Sequence, residues 1–287
     1  EVETHKVREP AQAMDWIART LEELVQGQGG RLADLEAVGV GCPGPFRAGK
    51  IYRSPHLPSW DGLDVGRALG ERIGRPVFWQ NDASAAALGE WRFGVGQGSR
   101  SMVYVTVSTG IGSGIVVEGR PYWGANGNAG EIGHVVVDPQ GPPCDCGRRG
   151  CLETLASGTA IARQASEQRM YSPFLSQAEA VTTEMVFEAW RRGDPVAEAV
   201  LSRAVEALGL ALSHLLDLIN PELLVLGGGV MQAGEDFFSR VRASCQLYAL
   251  PSVWEAVRWK RAGPSAHTGL IGALALALAG ESLPGSP

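Results

Sequence analysis

The stretch Gly127-Asn-Ala-Gly-Glu-Ile-Gly-His134, followed by Cys144-Asp-Cys-Gly-Arg-Arg-Gly-Cys151, decides the interpretation of this 287-residue chain. It groups one imidazole and three thiols, those of His134, Cys144, Cys146 and Cys151. A Cys₃His set supplies the four ligands of a closed tetrahedral Zn²⁺ site. Because protein fills all four positions, no position remains for an activated water. We therefore predict a structural zinc ion, the alternative being three buried thiols in a loop.

The composition indicates a soluble globular protein, with 45% hydrophobic and 20% charged residues. The formal charge of −6, without a basic run, argues against nucleic-acid binding. The longest apolar run, Leu270 to Ala279, is about half of a membrane span, and residues 1–10 do not resemble a signal peptide. Three thiols so close together favour a metal site in a reducing, cytoplasmic setting over a disulfide framework. The other two cysteines, Cys42 and Cys245, are expected in the core.

Predicted strands and helices alternate, with hairpins between some strands, which favours a mixed α/β fold. The predicted strands are 35–41, 50–53, 77–80, 101–108, 115–118, 134–138, 223–226 and 257–260, with residues 1–8 as the end of an edge strand. The predicted helices are one that opens at Pro10 and is ended by the segment 27–30, then 63–73, 82 to about 92, much of 157–220, one after Gly229, and 266 to about 279. A composition shift near Gly94 to Arg100 predicts domains 1–99 and 100–265, with a ligand cleft between them. We expect the C-terminal helix, 266–280, to complete the first domain.

Three motifs resemble the signature of the ROK family. They are the segment 127–134, the pattern Cys-x-Cys-Gly-x-x-Gly-Cys-Leu-Glu at 144–153, and Ser-Gly-Thr-Ala-Ile at 157–161. The resemblance extends from Gly39 to the last helix. The family includes bacterial glucokinases, other hexose and amino-sugar kinases, and sugar-responsive repressors. The resemblance implies an actin-like ATPase (ribonuclease H-like) fold of two domains with a cleft between them, a homodimer or homotetramer, and binding of a sugar and Mg²⁺ with ATP.

The pair Asn81-Asp82 ends a predicted strand and opens a predicted helix. Taken alone, such a pair is most simply a helix N-cap. The ROK pattern implies instead that Asp82 is the catalytic base, within reach of the attacking sugar hydroxyl, and that Asn81 binds the sugar. The resemblance also implies sugar contacts for Glu131 and Glu153, which flank the metal segment, although a lone glutamate is usually solvated.

His134 is expected to serve twice, since one ring nitrogen can bind zinc while the other donates to a sugar hydroxyl. A second histidine stands in a segment that borders the sugar site in relatives. The family often has Ser-Pro-Asn-Leu-Pro-x-Trp there, whereas this chain has Ser54-Pro-His-Leu-Pro-Ser-Trp60. His56 therefore bears on which sugar is preferred.

Two glycine-rich turns are expected to bind the nucleotide. Thr109-Gly110-Ile-Gly112-Ser-Gly114 lies between two predicted strands, so it is not a dinucleotide fingerprint. In an actin-like kinase such a turn brings backbone N–H groups and a threonine hydroxyl to the phosphates. Gly227-Gly228-Gly229 resembles the adenosine loop, the alternative being a plain turn after a strand. The family's first phosphate loop, Asp-x-Gly-Gly-Thr, does not occur in the 287 residues, and we expect it upstream of Glu1.

These observations predict an ATP-dependent kinase that phosphorylates a hexose at its 6-hydroxyl. Glucose is the first expectation, because the Gly-Glu-Ile-Gly-His and Cys-Leu-Glu segments look like those of bacterial glucokinases. An N-acetylated amino sugar, mannose or fructose is the alternative substrate. The alternative functions are a sugar-sensing repressor, which needs a helix-turn-helix, and a zinc-braced binding module without catalysis. The intact turn at 109–114 favours the kinase, since a sensor needs no phosphate loop.

Overall fold

A computed structural model describes residues 9–55, 57–263 and 267–280. The strands are β1 (Val38–Cys42), β2 (Phe46–Arg47), β3 (Lys50–Ile51), β4 (Val77–Asn81), β5 (Met102–Val107), β6 (Ile111–Val117), β7 (Arg120–Pro121), β8 (Leu223–Gly227) and β9 (Arg258–Arg261). The helices are α1 (Pro10–Gly27), α2 (Val65–Ile73), α3 (Asp82–Phe93), α4 (Leu152–Ala156), α5 (Gly158–Glu167), α6 (Thr183–Arg191), α7 (Pro195–Ile219), α8 (Glu235–Tyr248), α9 (Pro251–Ala256) and α10 (Thr268–Ala279).

The strands form three sheets, of which the β1–β4 pair and the five-stranded sheet both contact helix α3. Strands β1 and β4 are parallel neighbours, and β2 and β3 form a separate short hairpin. The larger sheet has the order β7-β6-β5-β8-β9, antiparallel from β7 to β5 and parallel from β5 to β9. This arrangement confirms the predicted mixed α/β architecture, and it places α3 between the β1–β4 pair and the five-stranded sheet.

Helix α7 organises the larger hydrophobic core, which packs on the five-stranded sheet. Its buried stripe includes Val200, Leu208 and Leu212, as the helical spacing predicts. The helix is long and apolar enough to cross a membrane, but 67% of its most apolar window is buried inside the fold. Such burial is what a core helix shows. At its start, Asp194 accepts hydrogen bonds from the backbone N–H groups of Val196 and Ala197, both at 2.9 Å.

Helix α10 packs against both α3 and β1. The helices α3 and α10 touch through glycines, because a Cβ on Gly272 would lie 2.5 Å from the backbone carbon of Ala85. Gly89 faces Gly272 in the same way, with 3.0 Å from its Cβ position to the Gly272 nitrogen. This packing is what we expect if the C-terminal helix belongs with residues 1–99. The domain boundaries themselves stay a prediction.

The predicted boundary segment, residues 94–100, is tied down by hydrogen bonds. The indole nitrogen of Trp91 donates to the carbonyl of Ser99 at 2.8 Å. The Lys260 ammonium donates to the carbonyl of Val95 at 3.1 Å, which joins the segment to strand β9. The segment 94–100 is therefore held by hydrogen bonds at both ends, and a hinge motion of this segment would have to break them.

Three predicted elements differ from the structure. Residues 134–138 are not a strand: a 3₁₀ turn covers Ile132–His134, and only Val136 forms a bridge, with Cys151, because the chain curves around the cysteine cluster. Strand β6 begins at Ile111, so Gly112 and Gly114 belong to the strand and not to the turn. The strand predicted at 50–53 is present but ends at Ile51, and it pairs with β2 in a hairpin.

Several other predicted boundaries move by a few residues. Strand β1 starts at Val38 and α2 at Val65, whose N-cap is Asp64. Helix α10 starts at Thr268. The predictions for residues 1–8, His56 and Ala266 lie outside the described residues.

Candidate functional site

The four predicted metal ligands converge, with their ligand atoms all within 4.8 Å of one another. The Sγ of Cys144 lies 3.6 Å from Nδ1 of His134, and the Sγ of Cys146 lies 3.6 Å from that of Cys151. A tetrahedron with metal–sulfur bonds of about 2.3 Å and a metal–nitrogen bond of about 2.0–2.1 Å has edges close to these distances. The arrangement fits a four-coordinate metal ion.

Backbone bonds shape the loop that carries the thiols. The N–H of Cys144 donates to the carbonyl of Arg148 at 2.8 Å, and the N–H of Gly147 donates back to Cys144 at 2.9 Å. The Arg148 Nε then donates to the Sγ of Cys146 at 3.4 Å. Desolvation raises the pKa of Cys146, but hydrogen bonds from Arg148 and the neighbouring thiols outweigh it and lower this pKa to about 6. The exposed ligand is therefore largely a thiolate at neutral pH.

Asn81 and Asp82 stand where β4 meets α3. The Oδ1 of Asn81 accepts from the backbone N–H groups of Ala83 at 2.9 Å and Ser84 at 3.2 Å, which confirms the N-cap interpretation. The Asp82 carboxylate is exposed in the first turn of α3. Asn81 is thus the last residue of strand β4, and Asp82 is the first residue of helix α3.

Glu131 lies opposite Asn81 across Gly44. A Cβ on Gly44 would lie 3.6 Å from both the Nδ2 of Asn81 and the Oε1 of Glu131. Burial raises the pKa of Glu131, His134 opposes the shift, and the nearby Asp82 and Glu153 carboxylates add to it. The carboxylates predicted as catalytic base and sugar ligands therefore face a common region.

His134 connects this carboxylate region to the metal ligands. Its Nδ1 points to the Sγ of Cys144, while its Nε2 lies 3.9 Å from the Oε2 of Glu131. One ring nitrogen of His134 therefore faces the predicted metal ligands, and the other faces the carboxylate of Glu131. A metal ion on Nδ1 would fix the proton on Nε2, leaving that nitrogen as a donor.

Asn128 makes a contact that the sequence analysis did not identify. Its Oδ1 accepts from the N–H of Phe46 at 2.7 Å, and its Nδ2 donates to the carbonyl of the same residue at 2.7 Å. The Asn128 side chain thus pairs with both backbone hydrogen-bonding groups of Phe46, as a neighbouring strand would. Because Phe46 directly follows the turn containing Gly44, Asn128 holds that turn over Asn81 and Glu131. No sequence signal marks a bond between residues 82 positions apart.

A cavity of about 630 Å³ opens beside the turn at residues 108–110, a volume that suits a small-molecule ligand. Its walls come from that turn, the starts of α5 and α6, and the turn after β8. The lining residues are Ser108, Thr109, Gly158, Thr159, Ala162, Thr182, Thr183, Glu184, Phe187, Arg191, Gly229, Val230, Gln232 and Ala233. The contribution of α6 was not predicted, since no motif marks its residues.

The predicted nucleotide glycines occupy different positions. Of the three glycines at 227–229, only Gly229 lines the cavity. Gly228 has φ of 88°, and a Cβ there would collide with the carbonyl group of Val107. Gly112 lies in β6, where a Cβ would stand 2.7 Å from that of Ala83. The nucleotide roles of these glycines stay predictions.

The profile of the ROK family matches residues 1–279. The chain belongs to the ROK family. It is 39% identical over 244 residues to a glucokinase of Thermotoga maritima, covering 82% of this chain and 75% of that protein.

Solved structures of ROK proteins have the same fold as this chain over nearly its whole length. The ROK hexokinase from Thermus thermophilus superposes with a TM-score of 0.81 at 38% identity, covering 95% of this chain and 87% of that one. A ROK glucokinase from Streptomyces griseus, solved with glucose and AMPPNP, gives 0.80 at 31% identity, covering 95% and 89%. These likenesses confirm the predicted actin-like, two-domain ATPase fold.

The Asn128 contact gives a testable prediction. Asn128→Ala removes both hydrogen bonds to Phe46, and we expect the Phe46 amide to exchange with solvent roughly tenfold faster, since a hydrogen bond contributes about 0.5–1.5 kcal/mol. Hydrogen exchange measured by NMR on the intact chain checks this. Asn126→Ala, in an exposed position two residues earlier, serves as the control and should leave that rate unchanged. An unchanged rate in Asn128→Ala would contradict the role assigned to this side chain.

Proposed function

We propose that this chain transfers the γ-phosphoryl group of ATP to the 6-hydroxyl of a hexose, with glucose as the main acceptor and glucose 6-phosphate as the product. The observation that carries the proposal is the carboxylate region around Asp82, together with the cavity that ends at the turn 108–110. The glucokinase name of the Thermotoga maritima relative and the glucose and AMPPNP in the Streptomyces griseus structure support it.

Asp82 is the proposed catalytic base. As the O6–phosphorus bond forms and the bond between the γ-phosphorus and its bridging oxygen breaks, the O6 proton passes to the Asp82 carboxylate, and ADP leaves. Because the transition state of phosphoryl transfer is loose, positioning and charge contribute most to the rate. ATP carries Mg²⁺, which supplies charge neutralisation at the phosphates.

The sugar would be held by side chains on both sides of Asp82. We assign Asn81, Glu131, His134 and Glu153 to its hydroxyl groups. A carboxylate can accept hydrogen bonds from two adjacent hydroxyls, which gives directional recognition. The Nε2 of His134 supplies a donor in the same region. Mannose, fructose and N-acetylated amino sugars are the substrates against which glucose is to be compared.

The nucleotide would lie in the 630 Å³ cavity. We assign Thr109 and Gly110 to the phosphates and the turn at 227–229 to the adenosine. Three further glycines act by lacking a side chain. Gly112 lets helix α3 approach strand β6, while Gly227 and Gly228 let the end of β8 approach strand β5. A sensor of sugar alone has no need of a nucleotide cavity, which favours the kinase over a repressor.

We propose that Zn²⁺ occupies the His134, Cys144, Cys146 and Cys151 cluster as a structural ion. Three thiols and one imidazole fill a tetrahedral site and leave no position for substrate. The ion would hold the loop that starts at Glu131 and ends at Glu153, and so would place both carboxylates.

We further infer a cytoplasmic homodimer or homotetramer that binds no nucleic acid. The reduced thiols suit a cytoplasmic setting, and the net charge of −6 disfavours nucleic acid. Leu218, Leu247 and Leu250 expose 83%, 79% and 56% of their surface, and the N–H of Leu250 donates to Asp217 at 3.0 Å, which brings the ends of α7 and α8 together. Such an apolar patch suits a second copy of the chain. Light scattering measures the mass in solution, and a monomer would contradict this inference.

Asp82→Asn should lower turnover by about 10²- to 10⁴-fold, because the amide cannot take the O6 proton. ADP release by the full-length gene product with Mg-ATP is to be measured on glucose, mannose, fructose, N-acetylglucosamine and N-acetylmannosamine. Asp64→Asn, at the start of α2, is the control and should keep normal turnover. If the wild-type protein is slow on glucose but fast on another of these sugars, that sugar is the substrate and the assignment of glucose is wrong. Absence of turnover on all of them would leave a sugar sensor or a binding module.

The metal site predicts one Zn²⁺ per chain, measured by elemental analysis. Cys146→Ser removes an exposed ligand, so we expect loss of most of the zinc and a melting temperature lower by more than about 10 °C, because structural zinc contributes about 10–16 kcal/mol. Glucose affinity should fall with it. Cys245→Ala, in the core away from the cluster, should retain the zinc. Full zinc content in Cys146→Ser would refute the assignment.

A further inference from the structure

Glu153 makes a hydrogen bond that a sugar ligand alone does not need. Its Oε2 accepts from the backbone N–H of Ile111 at 2.9 Å, although the two residues are 42 positions apart. Ile111 is the first residue of β6 and directly follows the turn 108–110, at the end of the nucleotide cavity. The carboxylate assigned to the sugar is therefore already bonded to the segment assigned to the phosphates.

Gly110 leaves room for this bond. A Cβ on Gly110 would lie 2.5 Å from the Oε2 of Glu153, which is closer than two such atoms can approach. The glycine does not have a positive φ, so the requirement at this position is space and not an unusual backbone conformation. A side chain on the turn would displace the carboxylate.

The turn has a second support from the same part of the chain. The N–H of Gly158, at the start of α5, donates to the carbonyl of Ser108 at 2.7 Å, and the N–H of Ser108 donates to the carbonyl of Gly110 at 2.9 Å. Glu153 in α4 and Gly158 in α5 thus hold opposite ends of the turn. If Glu153 is lost, the Ile111 end has one fewer bond to keep its N–H groups in place.

We propose that Glu153 is a positioning residue that couples the sugar site to the phosphate turn, an inference that rests on the proposed function. One carboxylate oxygen, Oε2, is bonded to Ile111, and the other, Oε1, is left for a sugar hydroxyl. A sugar bound to Oε1 restricts the carboxylate and with it the turn, so each ligand favours the binding of the other. Coupling between two sites is reciprocal, with typical magnitudes of about 5- to 150-fold in affinity.

The first test measures AMPPNP binding with Mg²⁺ to the full-length gene product, without sugar, by calorimetry. Glu153→Ala should weaken AMPPNP about five- to tenfold, because the turn loses a support. Glu131→Ala is the matched control: it removes another proposed sugar ligand, one that does not accept the Ile111 N–H, so AMPPNP affinity should stay normal while glucose affinity falls. Equal AMPPNP affinity in wild type and Glu153→Ala would overturn the coupling.

The reciprocal test starts from the nucleotide side. Gly110→Ala should weaken glucose about five- to tenfold in the absence of nucleotide, since the added methyl group displaces Oε2. Gly27→Ala, at the end of α1 with no atom near its Cβ position, controls for a general effect of the change. Unchanged glucose affinity in Gly110→Ala would overturn the proposal.

A conservative variant covers the case in which Glu153→Ala does not fold, as judged by circular dichroism and zinc content. Glu153→Gln keeps one oxygen that can accept from Ile111, so AMPPNP affinity without sugar should stay near the wild-type value while glucose affinity falls. Loss of both affinities in a folded Glu153→Gln would contradict the separate roles of the two oxygens. Wild-type protein that binds neither glucose nor AMPPNP would instead refute the proposed function itself.

Discussion

The convergence of one imidazole and three thiols is the constraint on which the rest of the site depends. The segment that carries these ligands begins just after Glu131 and ends just before Glu153, so closing the cluster also brings its two flanking carboxylates to one region. Much of the loop between them is exposed and has little apolar surface to hold it. A metal ion can supply the free energy that such a loop lacks, since structural zinc binding is worth about 10–16 kcal/mol. A bound metal ion would therefore replace a hydrophobic core in stabilising this loop.

Helix α3 provides the second constraint, because it carries Asp82 and touches both the β1–β4 pair and the five-stranded sheet. Its first turn lies on strand β6 at Gly112, where a larger residue would push Ala83 away. The metal loop approaches the same region from the other side, and Asn128 ties it to the β2–β3 hairpin. The carboxylate proposed as catalytic base is thus placed by close packing, whereas the proposed sugar ligands are placed by the cysteine cluster.

The sequence predicts the parts of this site that are encoded locally. The metal ligands, the Asn81-Asp82 pair and the mixed α/β order depend on spacing along the chain, and the structure brings those residues together as predicted. The predicted strand at 134–138 is wrong because its three consecutive valines favour extended structure locally, while the cluster bends the chain there. The contact of Asn128 and the lining from α6 depend on tertiary neighbours far apart in sequence, which a single sequence does not contain.

The sequence predicts a single turn over residues 109–114, but the structure gives the glycines of this stretch different surroundings, since Gly112 and Gly114 lie in strand β6. As a string of letters they suggest one flexible turn. In the structure Gly110 leaves space for the Glu153 carboxylate, and Gly112 leaves space for helix α3. Neither has a positive φ, so both act by the absence of a side chain and not by backbone freedom. The same short stretch therefore adjoins the Glu153 carboxylate on one side and helix α3 on the other, because only a residue without a Cβ permits each of these approaches.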